Sequence, residues 1–126
     1  MSGSVILAAR AAVRSGSGLV TVVVPSGIAP IVAGNVVEAM VFGARETQDG
    51  FLSMDCWQTW STRLEEFDAV LIGPGMGRTK DNYSLVRELL RESSIPVVLD
   101  ADAISILENQ ADLITKVTVP VVMTPH

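Results

Sequence analysis

Apolar residues in this chain fall into short unbroken runs, separated by longer stretches with helical spacing. Residues 19–24 (LVTVVV), 69–72 (AVLI), 95–99 (IPVVL) and 119–123 (VPVVM) are such runs. Each is too short for a buried helix and rich in β-branched side chains, so each reads as a buried strand. Residues 38–42 form a further strand candidate. Between them, residues 4–14 read as an alanine-rich helix. Its Arg10 and Arg14 share an exposed face, and Ile6, Leu7 and Val13 are available to the core. Ser2 or Ser4 is placed to cap that helix, and Gly16 and Gly18 end it. Residues 28–36 allow only a short helix because of Pro30 and Gly34, and residues 43–55 read as a loop. Residues 56–67 put Trp57, Trp60 and Leu64 on one packing stripe. Residues 81–91 give the clearest amphipathic pattern, with Tyr83, Val86 and Leu90 beside Leu85 and Leu89. Residues 103–109 also read as helical. Strands alternating with helices predict an α/β fold around a parallel sheet with right-handed crossovers.

The length of 126 residues, with no repeat and no evident linker, suits one domain. A net charge of −5 and a pI near 4.7 leave no basic stripe for a nucleic acid partner, though backbone N–H groups can still hold a nucleotide. Cys56 is the only cysteine, which excludes an intrachain disulfide and a thiolate metal cluster and reads as a structural thiol. No apolar run is long enough to span a bilayer, and Arg10 and Arg14 interrupt any signal-like segment. A cytoplasmic setting with no membrane partner is the expectation.

Chemistry concentrates where the strands end. In residues 68–78 (DAVLIGPGMGR) an apolar strand runs into Gly73, Gly75 and Gly77. Glycines at alternate positions allow positive φ and let another group approach the backbone closely. In open α/β sheets, ligands bind in the crevice beyond the carboxyl ends of the strands. The helix that follows suggests free N–H groups suited to phosphate, although no Lys-Ser or Lys-Thr pair makes a Walker loop and the spacing is not a dinucleotide fingerprint. Strand four ends in Asp100-Ala101-Asp102. Asp100 is a candidate for a ligand hydroxyl or magnesium-bound water, and Asp102 a candidate helix cap. The fifth strand leaves through Thr124-Pro125-His126, whose lone histidine excludes a multi-histidine metal centre. Ser2-Gly3-Ser4 opens the first helix as either a cap or an anion site. In a parallel sheet the three later strand ends share one edge.

Residues 7–24, 69–78 (AVLIGPGMGR), 97–103 (VVLDADA) and 123–126 (MTPH) occur in the order found in NAD(P)H-hydrate dehydratases, and the chain resembles that family along nearly its whole length. The resemblance implies a ribokinase-like parallel sheet with helices on both faces. It implies an ADP- or ATP-dependent lyase, with Mg2+ screening the nucleotide phosphates. Its substrate would be the S-epimer of hydrated NADH or NADPH. Nucleotide-dependent phosphorylation of the ring hydroxyl creates a leaving group, and elimination restores the reduced cofactor. Ser4 stands where the family usually has a substrate-contacting alanine. Gly77, with Gly73 and Gly75, matches the substrate-binding glycine motif, and His126 matches the histidine placed at the hydrated cofactor. Relatives of this kind commonly form homo-oligomers.

The sequence also departs from the pattern. The catalytic aspartate of the family lies in a Gly-Thr-Gly-Asp motif beyond Thr-Pro-His, and these 126 residues contain no such motif. Ser105 replaces a common asparagine. The expectation is therefore a truncated domain carrying part of the substrate site, inactive by itself for want of a base. Rival readings are a sugar or vitamin-precursor kinase of the same superfamily and a non-catalytic half-domain that works as a binding module.

Overall fold

The computed structural model describes residues 1–108 and 110–125; Asn109 and His126 lie outside the described residues. The sequence has no evident linker, yet its contacts divide it into two compact units, Met1–Ser53 and Met54–His126. Among the described residues five strands hydrogen-bond as two parallel sheets.

In the first unit, α1 (Ser2–Arg14), β1 (Thr21–Pro25), α2 (Ala29–Ala33) and β2 (Met40–Ala44) follow one another, with a short 3-10 turn, Ser26–Ile28, leading into α2. The two strands pair in parallel from Thr21↔Met40 to Pro25↔Ala44. Val22 and Val24 point into a core with Ala9, Val32 and Val36, onto which Val5 and Ile6 pack. Alternate burial makes β1 a one-faced strand rather than one buried on both sides.

Two expectations for α1 need correction. The helix starts at Ser2, with Met1 at the N-cap and no side-chain cap, so neither serine caps it and Ser4 lies half-buried in the first turn. Leu7 is 69% exposed, because Val5, Ile6 and Ala9 already define the inward stripe and Leu7 falls off it. The expected stop is found: Gly16 turns the chain at φ 100°. Residues 43–55 are not all loop, since β2 runs to Ala44 and Glu46 bridges Leu52 across a tight turn.

The second unit holds α3 (Trp57–Ser61), β3 (Val70–Ile72), α4 (Lys80–Glu92), β4 (Val97–Asp100), α5 (Asp102–Ile106), α6 (Ala111–Thr115) and β5 (Val121–Thr124). Its sheet has the order β3-β4-β5, all parallel. Val97 and Leu99 are fully buried in a core with Val86, Leu89, Leu90 and Ala103, and Trp57, Val70, Ile72 and Val121 pack against it. The intervening row, Leu71 beside Val98 beside Val122, faces the other way, with Leu71 45% and Val122 55% exposed. Leu85, Val86, Leu89 and Leu90 give α4 the buried stripe that its spacing predicts. Residues 56–67 break into α3 and a 3-10 turn at Leu64–Glu66 instead of one helix, with Leu64 buried and the Arg63 guanidinium 5.0 Å from the Trp60 ring. Helix α6, absent from the sequence reading, occupies the approach to β5. Among the described residues no helix is long and apolar enough to cross a membrane.

Candidate functional site

Parallel pairing brings the carboxyl ends of β3, β4 and β5 to one edge, with Ile72 beside Leu99, Leu99 beside Met123 and Asp100 beside Thr124. Gly73, Gly75, Gly77 and Asp100 therefore gather at a single sheet edge. His126 lies outside the described residues, and Ser4 belongs to the other unit.

The first close approach is backbone to backbone. Gly73 has φ 128°, and a Cβ there would stand 1.8 Å from the carbonyl oxygen of Asp100. No side chain fits between those two strand ends. The next residues make a tight turn, in which the Met76 N–H donates to the Gly73 carbonyl at 3.1 Å. Pro74 and Gly75 are its central pair, and Gly75 has φ 66°, as a type II turn requires at its third position.

Two side chains from outside the loop then hold its last peptide. The Gly77 N–H donates to Asp102 Oδ2 at 2.8 Å, and Asn82 Nδ2 donates to the Met76 carbonyl at 2.5 Å and the Gly77 carbonyl at 3.2 Å. Asn82 is fully buried in the first turn of α4. Thr79 caps that helix, its Oγ1 accepting from the Asn82 N–H at 3.2 Å. The Met54 N–H donates to Asp81 Oδ2 at 2.8 Å.

These bonds correct two expectations. Asp102 does not cap its own helix: the N-cap of α5 is Ala101, without a side-chain bond, and the carboxylate reaches back to the glycine loop. The loop is also not a row of free donors for phosphate, because the N–H groups of Met76 and Gly77 are already engaged and Asp102 brings negative charge to the loop.

Beside the loop, Thr124 Oγ1 donates to Asp100 Oδ1 at 2.7 Å, which fixes the Asp100 carboxylate across the β4–β5 pair. Ala101 follows at φ 46°, a conformation L-residues rarely adopt, and its carbonyl accepts from the Ile104 and Ser105 N–H groups. That kink turns the chain sharply from β4 into α5. Among the described residues no group of three His, Cys, Asp or Glu side chains gathers to hold a metal ion. Cys56 is buried and free, and burial pushes its thiol up, as a structural thiol requires.

The sequence reading missed Asn82 and the direction of Asp102. Asn82 did leave a signal. It is polar at a position in register with Leu85, Val86 and Leu89, and a polar side chain on a buried stripe needs polar partners. Nothing local reveals that Asp102 bonds a residue 25 positions earlier.

A glycine turn at the carboxyl end of parallel strands, with helices packed on the sheet, defines an α/β protein with a candidate ligand crevice beyond its strand ends. A ribokinase-like superfamily protein from Enterococcus faecalis V583 superposes with a TM-score of 0.78 at 26% identity, covering 98% of this chain and 40% of that one. Residues 1–126 match the family model for NAD(P)H-hydrate dehydratase, and the chain belongs to that family. It is 40% identical over 126 residues to the bifunctional NAD(P)H-hydrate repair enzyme of Moorella thermoacetica, covering all of this chain and 24% of the relative. It is 32% identical over 124 residues to the ADP-dependent (S)-NAD(P)H-hydrate dehydratase of Xanthomonas campestris pv. campestris, covering 98% of this chain and 41% of the relative. The chain thus spans well under half the length of these relatives.

Proposed function

We propose that this chain carries part of the substrate site of a nicotinamide-cofactor repair enzyme, an ADP- or ATP-dependent dehydratase. It returns the S-epimer of hydrated NADH or NADPH to the reduced cofactor. A phosphoryl group passes from the nucleotide to the ring hydroxyl, and elimination then expels phosphate and a proton. The observation that carries this reading is the gathering of the glycine loop and Asp100 at one crevice edge, in a chain that matches the dehydratase family from end to end.

In this reading the loop of Gly73, Gly75 and Gly77 forms one wall of the substrate site, and Asp100, held by Thr124, accepts from a ligand hydroxyl. Mg2+, where bound, would accompany the nucleotide phosphates and screen their charge. The same reading assigns the protein to the cytoplasm and to a homo-oligomeric assembly.

Calorimetric titration tests it. Hydrated NADPH should bind the 126-residue chain, and Asp100→Ala should weaken that binding about tenfold, the size expected for loss of a charged hydrogen bond. Binding of a simple sugar in preference to hydrated NADPH would sink the reading.

A further inference from the structure

The peptide between Met76 and Gly77 is held from both ends by residues outside the loop. Its carbonyl takes the Asn82 amide, and its N–H meets the Asp102 carboxylate at 2.8 Å. A glycine-rich loop is otherwise free to flip such a peptide, because Gly77, at φ 81°, has no Cβ to oppose rotation. With both ends held, a flip would point a carbonyl at a carboxylate and an N–H at an amide NH2. Each is a repulsive pairing in a half-buried place, and Asn82 is fully buried, so water cannot replace its bonds.

We infer that Asp102 and Asn82 are positioning residues that fix the 76–77 peptide, and through it the face that the glycine loop presents to a ligand. This rests on the reading of the loop as part of the cofactor-repair site. Asp102 stands two residues beyond Asp100 and grips the loop, while Asp100 remains at the open strand end beside Thr124. The two carboxylates of the Asp100-Ala101-Asp102 turn thus do different work: one orders the loop, the other bonds Thr124 across the β4–β5 pair. The kink at Ala101, φ 46°, is what separates them.

Amide hydrogen exchange on the 15N-labelled 126-residue chain tests the clamp, and NADPH, the product in the proposed reaction, serves as the binding probe. The Gly77 amide should exchange slowly. In Asp102→Ala it should exchange roughly 10- to 100-fold faster, with the amides of Leu89 and Val97 unchanged. Asp102→Asn keeps an acceptor oxygen and should give a smaller increase; it carries the test if the alanine variant does not fold. NADPH should shift the resonances of Gly73, Gly75 and Gly77, with about tenfold weaker affinity in Asp102→Ala than in the parent chain. A Gly77 amide indifferent to both substitutions would overturn the clamp. A released amide with unchanged NADPH affinity would overturn its role in positioning. Failure of the parent chain to bind NADPH would overturn the reading of the site itself, and the exchange data would still decide the clamp.

Discussion

At the residue scale, glycines that look alike in the sequence carry different constraints. Gly73 lacks room for any side chain, since its Cβ would overlap the Asp100 carbonyl at 1.8 Å, and φ 128° adds strain. Gly75 takes the left-handed conformation of its turn, at φ 66°. Gly73→Ala should therefore cost about 3 kcal/mol or more, because β3 and β4 must separate at their ends. Gly75→Ala should cost about 1–2 kcal/mol, the ordinary penalty for a left-handed alanine. Urea denaturation of the two variants checks the difference, and equal losses would mean that the strand ends are not packed backbone to backbone. The glycines themselves were legible as a loop in the sequence. Which of them is closed to substitution depends on Asp100, a neighbour only across the sheet.

At the scale of elements, local patterning predicted the strands and α4 well, because burial there follows a period that a short window contains. It served caps and short helices less well. A serine or aspartate beside a helix suits a cap by composition, yet α1 begins without one and Asp102 bonds elsewhere. Residues 56–67 have helical spacing, but two short turns flanking α3 place Trp57 and Leu64 in the core without a continuous helix. Alternation along the strands supports a sharper expectation. Leu99 is fully buried on the face that packs against α4, whereas Leu71 lies on the opposite row at 45% exposure. Leu99→Ala should destabilise the chain by about 2–5 kcal/mol. Leu71→Ala should cost less than about 1 kcal/mol, since little apolar area leaves a packed environment. Comparable losses in thermal or urea unfolding would place the sheet in the wrong register, as a slip by one residue exchanges the two faces.

At the scale of the whole chain, the sequence carried the alternation of strands and helices and the order of motifs at the strand ends. It did not carry the pairing: the strands fall into a β1-β2 sheet and a β3-β4-β5 sheet, because hydrogen bonds between strands depend on partners that no local pattern names. The same pairing leaves β5 at the end of its sheet, with Val122 and Met123 at 55% and 39% exposure. Strand edges with exposed apolar side chains favour association with another chain, and a charged residue there opposes it. The 126-residue chain should therefore show sedimentation coefficients that rise with concentration. Val122→Lys should shift that distribution toward monomer with little loss of stability, because Val122 is not part of the packed row. The net charge of −5 acts against association at low ionic strength, so the effect should grow as salt is added and repulsion is screened. A monomer at every concentration and salt level would show that the exposed β5 row is too small or too well broken by polar neighbours to draw chains together.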